Sequence, residues 1–260
     1  MRKHFWLCVV ACGLFLTPQV SATPIAYISG AAEPWGRLGG LHAMDNVFGS
    51  GNWERLEFSN AVRAGIFGGD FDYLYIDGSA RSTSGFEEFV SGNRAALEGF
   101  VADGGNIFLN AARWGGTPWF DVGFNVSLSP GFSSRGYAVD TAHAVFDGIV
   151  GTSFVGSSFS HDQVVGAGLN SILQDNNHRV ILAEMDYGAG HVMFGGLTLA
   201  FFGEHRYWSA ESGTLRDNII ALGRPEAARS SVALVPEPAT YLLLGLGLLG
   251  IGVIRRITHN

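Results

Sequence analysis

Two adjacent residue pairs and one isolated carboxylate are the side chains best suited to acid–base chemistry. His161-Asp162 and Glu204-His205 each place an imidazole beside a carboxylate, and Asp77 follows an apolar run. Imidazole and carboxylate are common general acids and bases, so these residues are candidates for a hydrolytic site. Neighbouring residues on a strand point to opposite faces, so neither pair forms a catalytic dyad through its spacing alone.

The acidic residues do not have the spacing of a metal site. Asp70, Asp72 and Asp77 lack the alternate oxygen ligands and closing glutamate of an EF-hand loop. A zinc site needs three or four convergent ligands, which no local motif supplies. We therefore expect turn carboxylates at Asp70 and Asp72, with no metal and no cofactor. Asp77 differs because it ends a predicted strand, where open α/β sheets place their ligands.

Several nucleophiles are excluded by composition. Cys8 and Cys12 are the two cysteines, and both lie within the first 22 residues. Between residues 23 and 234 the chain contains 12 arginines, no lysine and 22 carboxylates, which gives a net charge of −10. A chain processed after residue 22 therefore has no thiol nucleophile, disulfide or Schiff-base lysine. The negative charge argues against a nucleic-acid partner and against an anionic lipid surface.

The N-terminal 22 residues predict a secretory signal peptide. Arg2 and Lys3 precede an apolar segment at 5–16, and the small residues Val20-Ser21-Ala22 provide a cleavage site. The alternative is a lipoprotein signal around Cys12, although the apolar segment continues beyond that cysteine. Signal peptidase is therefore an expected partner.

Periodicity predicts one α/β domain at residues 23–223, followed by a linker at 224–234. Strands that alternate with helices indicate a mostly parallel sheet with helices on both faces. A helix with capping-box spacing at Ser84 and Glu87 has one apolar face that extends to Val101. The other predicted elements are strands at 24–29, 53–58, 71–77 and 106–109, a first helix within 35–48, a long loop at 113–140 with short strands around 124–128, a hairpin at 179–197 and a helix around 215–222.

Loops that follow parallel strands share one edge of the sheet, so their polar and aromatic residues are expected to form one pocket. Exposed aromatic rings stack on the apolar faces of sugars, which makes a saccharide a possible ligand. The alternative is that these rings, including Trp119 and Tyr207, cap the core. The expected pocket consists of Trp35, Asp77, Ser79, Asn110, Arg113, Trp114, Glu204, His205 and Trp208.

The C-terminal segment at 235–260 resembles the PEP-CTERM sorting signal. Pro236, Glu237 and Pro238 precede a short apolar stretch, and Arg255 and Arg256 follow it directly. The resemblance implies a short transmembrane helix, an exosortase-type processing enzyme and a Gram-negative host that makes extracellular polysaccharide. It also implies export, a transient membrane anchor, and release to the cell surface or extracellular matrix. A plain membrane anchor is the alternative.

The segment at 24–222 resembles the flavodoxin-like fold of class I glutamine amidotransferases, especially the ThuA-like branch. The resemblance rests on the strand order, on the segment at 142–148 and on the hairpin sequence Tyr187 to Val192. That family places a catalytic cysteine on the turn after the fourth strand, with a histidine after the hairpin. Here those stretches read Asn110-Ala111-Ala112-Arg113 and Gly195-Gly196-Leu197-Thr198.

These features predict an exported protein, associated with the surface or with polysaccharide, whose domain has no catalytic residues and binds a glycan or small ligand. The alternative is a hydrolase that has moved its chemistry to Asp77, Glu204 and His205. A third possibility is a structural matrix component without a discrete ligand.

Overall fold

The computed structural model describes residues 25–204 and 208–223. The predicted signal peptide, linker and sorting tail lie outside the described residues, and the domain boundaries remain predictions. No helix within these described ranges has the length and apolar character needed to cross a membrane.

The described residues form ten strands and three α-helices. The strands are β1 (Ile25–Ser29), β2 (Glu54–Glu57), β3 (Tyr73–Asp77), β4 (Asn106–Asn110), β5 (Phe120–Gly123), β6 (Val126–Ala138), β7 (Ser153–Gly166), β8 (Asn170–Gln174), β9 (Val180–Tyr187) and β10 (Gly190–Gly195). The α-helices are α1 (Gly39–Phe48), α2 (Thr83–Ala102) and α3 (Ser212–Leu222).

One sheet contains both parallel and antiparallel strands. Its order is β2-β1-β3-β4-β10-β9-β8-β6-β5, and β7 pairs with β6 outside this path. The first five strands in this order run parallel, and β9 runs antiparallel to β10. This arrangement confirms the predicted α/β class, in which a mostly parallel core is extended by the late hairpin.

The two faces of the parallel strands are buried against different helices. Ala26 and Ile28 point to the face covered by α2, whereas Ile25 and Tyr27 point to the face packed with α1 and α3. All five residues of β1 are buried. A strand covered on both faces reads as a continuous apolar run, which explains why the sequence made this half of the sheet recognisable.

The predicted capping box of α2 is wrong. The helix begins at Thr83, so Ser84 lies inside it, and Ser82 is the N-cap residue without a capping side-chain bond. The Ser82 hydroxyl instead accepts a hydrogen bond from the Gly30 backbone N–H, at 3.2 Å. Glu87 accepts hydrogen bonds from the amide and hydroxyl of Thr117, both at 2.9 Å. Tertiary contacts therefore occupy Ser82 and Glu87 in place of a local cap.

The long loop predicted at 113–140 is also wrong in its second half. Residues Val126–Ala138 form β6, which pairs with the 14-residue strand β7. The register shifts between Pro130 and Ser133, so Phe132 lies in a bulge of β6. Bulges bend a strand and redirect its side chains, which here brings the bulge towards the carboxyl edge of the parallel strands.

The first strand and the last helix meet at the amino edge of the sheet. Ile25 begins β1 and pairs in register with Tyr73, the first residue of β3. Gly223, which follows α3, packs directly against the Tyr73 ring and leaves no space for a side chain. The closing helix is thereby fixed to the start of the central strands.

Candidate functional site

The carboxyl ends of β3 and β4 carry a buried hydrogen-bond network. Asp77 accepts hydrogen bonds from the Tyr75 hydroxyl and the Ser79 amide, each at 3.0 Å. The Ser79 hydroxyl accepts one from the Ala112 amide at 3.1 Å. Asn110 donates to the Leu197 carbonyl at 2.9 Å and accepts from the Leu197 amide at 3.0 Å. The network therefore joins the loops that follow β3, β4 and β10.

Asp77 is buried almost completely and has no cationic partner among its hydrogen bonds. Burial raises the pKa of Asp77 from 3.8 to about 6, although the hydrogen bonds from Ser79, Tyr75 and Asn110 act in the opposite direction. Ser79 and Asn110 are buried together with Asp77.

Arg113 anchors the loop after β4 through a buried ion pair. Its guanidinium lies 2.7 Å from an Asp162 oxygen on β7 and 2.7 Å from a Glu87 oxygen on α2. The same side chain donates to the carbonyls of Thr117 and Leu128, at 2.7 and 3.2 Å. Burial raises the pKa of Asp162 above its usual 3.8, although the hydrogen bonds and charge of Arg113 act in the opposite direction. The predicted pocket arginine is thus fully occupied within the protein.

An aromatic platform forms beside this anchor from Trp35, Trp114, Phe132 and His161. The His161 ring centroid lies 4.8 Å from that of Trp35, and 5.3 Å from those of Trp114 and Phe132. Trp114 is 71% exposed and Phe132 is 56% exposed, whereas His161 is 7% exposed. The platform therefore offers two open rings around a buried imidazole at the carboxyl edge of the sheet.

Four separate segments supply the platform, and backbone contacts fix the segments that carry Trp35 and His161. Trp35 follows β1 in a left-handed conformation, with φ of 55°, and its amide donates to the Ala80 carbonyl at 2.9 Å. The His161 amide on β7 donates to the Gly196 carbonyl at 2.9 Å. Trp114 is adjacent to the anchored Arg113. These rings are thus held by the same loops that the buried network joins.

Two polar atoms of the platform lack partners. The Nε2 atom of His161 and the Nε1 atom of Trp35 are buried and form no hydrogen bond with the described residues. A buried polar group without a partner is unfavourable and needs a reason. Burial also lowers the pKa of His161, which favours a neutral imidazole.

The remaining predicted site residues lie apart from the buried network. Glu204 contacts His42 of α1 and Arg216 of α3, at 3.2 and 3.3 Å. Trp208 is buried and stacks on Phe201, with ring centroids 6.1 Å apart. His205 lies outside the described residues. The predicted pocket therefore divides into a buried network, an aromatic platform and a separate ion-pair cluster.

A second titratable cluster lies between β9, β10 and the segment before β7. Glu184 accepts hydrogen bonds from His143 and His191, at 3.0 and 3.2 Å, and His191 also contacts Asp186 at 3.0 Å. Burial lowers the pKa of His191, but its hydrogen bonds with the two carboxylates outweigh burial and raise it. No group of three or more potential metal ligands was found among residues 25–204 and 208–223.

Sequence reasoning identified part of the platform. Trp35 and Trp114 are among the predicted site residues, whereas for His161 the sequence indicates only a polar pair with Asp162. As expected for neighbours on a strand, Asp162 points to Arg113 while His161 points to the rings. No sequence pattern indicates Phe132, because its segment has the composition of a loop.

Comparison with known protein families identifies a sorting signal near the C-terminal end of the chain. Residues 234–256 match the PEP-CTERM protein-sorting motif. The chain carries an exosortase sorting signal. The predicted sorting signal is therefore confirmed, and it implies export, processing by an exosortase and a transient membrane anchor before processing. No curated protein sequence matches the chain.

Two solved structures are similar to this chain. A protein described as a GMP synthase component from Thermoplasma acidophilum is 9% identical, with a TM-score of 0.50, over 81% of this chain and 98% of that chain. A ThuA-like protein from Bacteroides uniformis is 8% identical, with a TM-score of 0.47, over 79% and 91% of the two chains. At such low identity the first similarity shows the glutamine amidotransferase-like fold alone.

Proposed function

We propose that this exported protein is a non-catalytic saccharide-binding protein of the cell surface or extracellular polysaccharide. The observation that carries the proposal is the exposure of the Trp114 and Phe132 rings beside His161. Open rings stack on the apolar C–H faces of sugars. Aromatic stacking is a common way to hold a sugar ring.

The chemistry at the strand ends supports a role in binding. The turn after β4 carries Ala111 and Ala112, both fully buried, where the resembled enzymes carry a nucleophile. Asp77 and Asp162 are occupied by internal hydrogen bonds. No contact among the described residues brings Glu204 to Asp77, so no specific observation favours the relocated hydrolase. In the proposed protein, Asp77, Ser79, Asn110 and Arg113 position the loops that hold the rings.

Trp114→Ala tests the proposal, with Trp119→Ala as the matched control. Trp119 is 64% exposed and forms no described ring pair. We expect the secreted protein to bind at least one polysaccharide from a panel of neutral and acidic polymers in a biolayer assay. Loss of one stacking ring should weaken binding about tenfold, which corresponds to about 1.4 kcal/mol. Trp119→Ala should leave the affinity unchanged.

Both variants should melt at the wild-type temperature, because the replaced rings are largely exposed. Absence of binding to every polymer of the panel would contradict the proposal. Equal affinities for the wild type and Trp114→Ala would also contradict it, because the exposed rings would then take no part in the binding.

A further inference from the structure

Two arginines beside the platform have no carboxylate partner among the described residues. Arg37 and Arg81 are both exposed and form no ion pair with them. This contrasts with most of the other arginines in these ranges, since carboxylates are paired with Arg55, Arg94, Arg113, Arg179 and Arg216. Of the other two arginines without an ion pair in these ranges, Arg63 follows β2 and Arg135 lies on β6, whereas Arg37 and Arg81 belong to the loops that follow β1 and β3.

Both guanidinium groups lie close to the loop that carries Trp35. A Cβ atom on Gly36 would lie 2.7 Å from Nη1 of Arg81, so that guanidinium lies across the Gly36 backbone. The Arg37 guanidinium lies 5.3 Å from the centroid of the Phe201 ring. Phe201 in turn lies 5.8 Å from Trp35. The two cations therefore border the platform.

The backbone holds this arrangement in an unfavourable conformation. Arg81 has φ of 78° and Trp35 has φ of 55°, values that residues other than glycine rarely adopt. The hydrogen bond from Trp35 to Ala80 joins the two loops directly. Backbone outliers of this kind concentrate at ligand sites. The loops also follow β1 and β3, where the chain changes direction across the sheet and where open α/β folds bind ligands.

We propose that the platform takes an acidic saccharide, whose anionic substituent binds Arg37 and Arg81. This inference rests on the proposed function and specifies its ligand. Guanidinium groups bind carboxylate, sulfate and phosphate oxygens through paired N–H donors. The sugar ring stacks on the exposed indole of Trp114, and the anion meets the two cations at the border. The acidic remainder of the chain repels such a polymer, which restricts binding to this edge.

The test uses polymer pairs that differ only in charge. Polygalacturonate is compared with its fully methyl-esterified form, and dextran sulfate with dextran, against the secreted protein in a biolayer assay. We expect the acidic member of at least one pair to bind about tenfold or more tightly, with an affinity that falls as salt rises. The first pair reports a carboxylate ligand and the second a sulfate ligand.

The variant Arg37→Gln/Arg81→Gln should reduce the acidic-to-neutral affinity ratio to about one and leave neutral binding unchanged. Arg81→Gly removes the charge while accommodating the left-handed backbone, so it should lower the acidic-to-neutral affinity ratio. Arg81→Lys keeps the charge and should retain part of that ratio. Arg63→Gln, at another exposed and unpaired arginine of the described ranges, is the control and should preserve the ratio.

The inference and the proposed function fail in different ways. A wild-type ratio of one, or a ratio that survives Arg37→Gln/Arg81→Gln, overturns the acidic ligand even if neutral polymers still bind through Trp114. Affinities that do not respond to Trp114→Ala overturn the proposed function, whatever the ratio. Lack of binding to all four polymers overturns both.

Discussion

Replacing Asp77 with asparagine should make the protein more stable at neutral pH. The carboxyl is buried at the end of β3, where Tyr75 and Ser79 each donate a hydrogen bond to it. Asparagine has the same shape, and its amide can accept from Ser79 while donating to the Tyr75 hydroxyl. The substitution therefore keeps the packing and removes only the buried charge.

The size of the effect follows from the pKa of Asp77. Burial raises that pKa from 3.8 to about 6, which corresponds to about 3 kcal/mol at about 1.4 kcal/mol per pKa unit. Between these two values the folded protein binds more protons than the unfolded chain, so its stability falls as pH rises. The asparagine variant lacks this loss. The two proteins should have similar stabilities near pH 4, and the variant should be about 3 kcal/mol more stable above pH 6.

Urea unfolding followed by tryptophan fluorescence at pH 4, 5, 6 and 7 measures this difference. We expect the midpoint of the variant to exceed that of the wild type by roughly 1 M urea at pH 7. Asp72→Asn makes the same change in net charge at an exposed position, so it isolates the effect of burial. Parallel stability profiles for Asp77→Asn and the wild type would refute the buried-charge reasoning.

Three further outcomes are expected. Arg113→Met should destabilise the protein by about 3–5 kcal/mol in urea unfolding, because it leaves the buried Asp162 unpaired; adding Asp162→Asn should recover part of this loss, and full additivity would argue against the ion pair. His191 has a raised pKa, so its stabilising effect is complete below pH 6.5 and is lost as pH rises through the raised value. His191→Gln should flatten this region of the stability profile, and a pKa of His191 below 6.5 in an NMR titration would contradict the direction. Intact-mass analysis of the secreted protein should show loss of residues 1–22 and of the tail from about Val235, whereas a retained tail would oppose exosortase processing.

The parallel half of the fold was predictable because strands buried on both faces have continuous apolar sequences. The strands ending at Asp77 and Asn110 are short apolar runs closed by turn residues, and their boundaries were predicted to within about two residues. The long amphipathic helix α2 was also recognised from its apolar face. Its first turn was not, because Ser82 and Glu87 form tertiary contacts that local spacing does not encode.

In the antiparallel half, the hairpin of β9 and β10 was predicted, whereas the pairing of β6 with β7 was not predictable from its local pattern. Strand β6 contains Pro130 and Gly131, and these residues with several serines read as a loop. It is a strand because β7, which begins well over a dozen residues later, pairs with it around a bulge. Since Phe132 and His161 reach the platform only through this distant pairing, the sequence indicated some aromatic candidates and left their convergence unknown.

The contact between Gly223 and Tyr73 has a consequence for where the described chain ends relative to the platform. Tyr73 and Ile25 begin neighbouring strands, so the closing helix ends at the amino edge of the sheet. The platform lies at the carboxyl edge, about 17 Å away along five-residue strands. In the proposed saccharide-binding protein, the ligand site and the end of the closing helix therefore lie at opposite edges of the sheet.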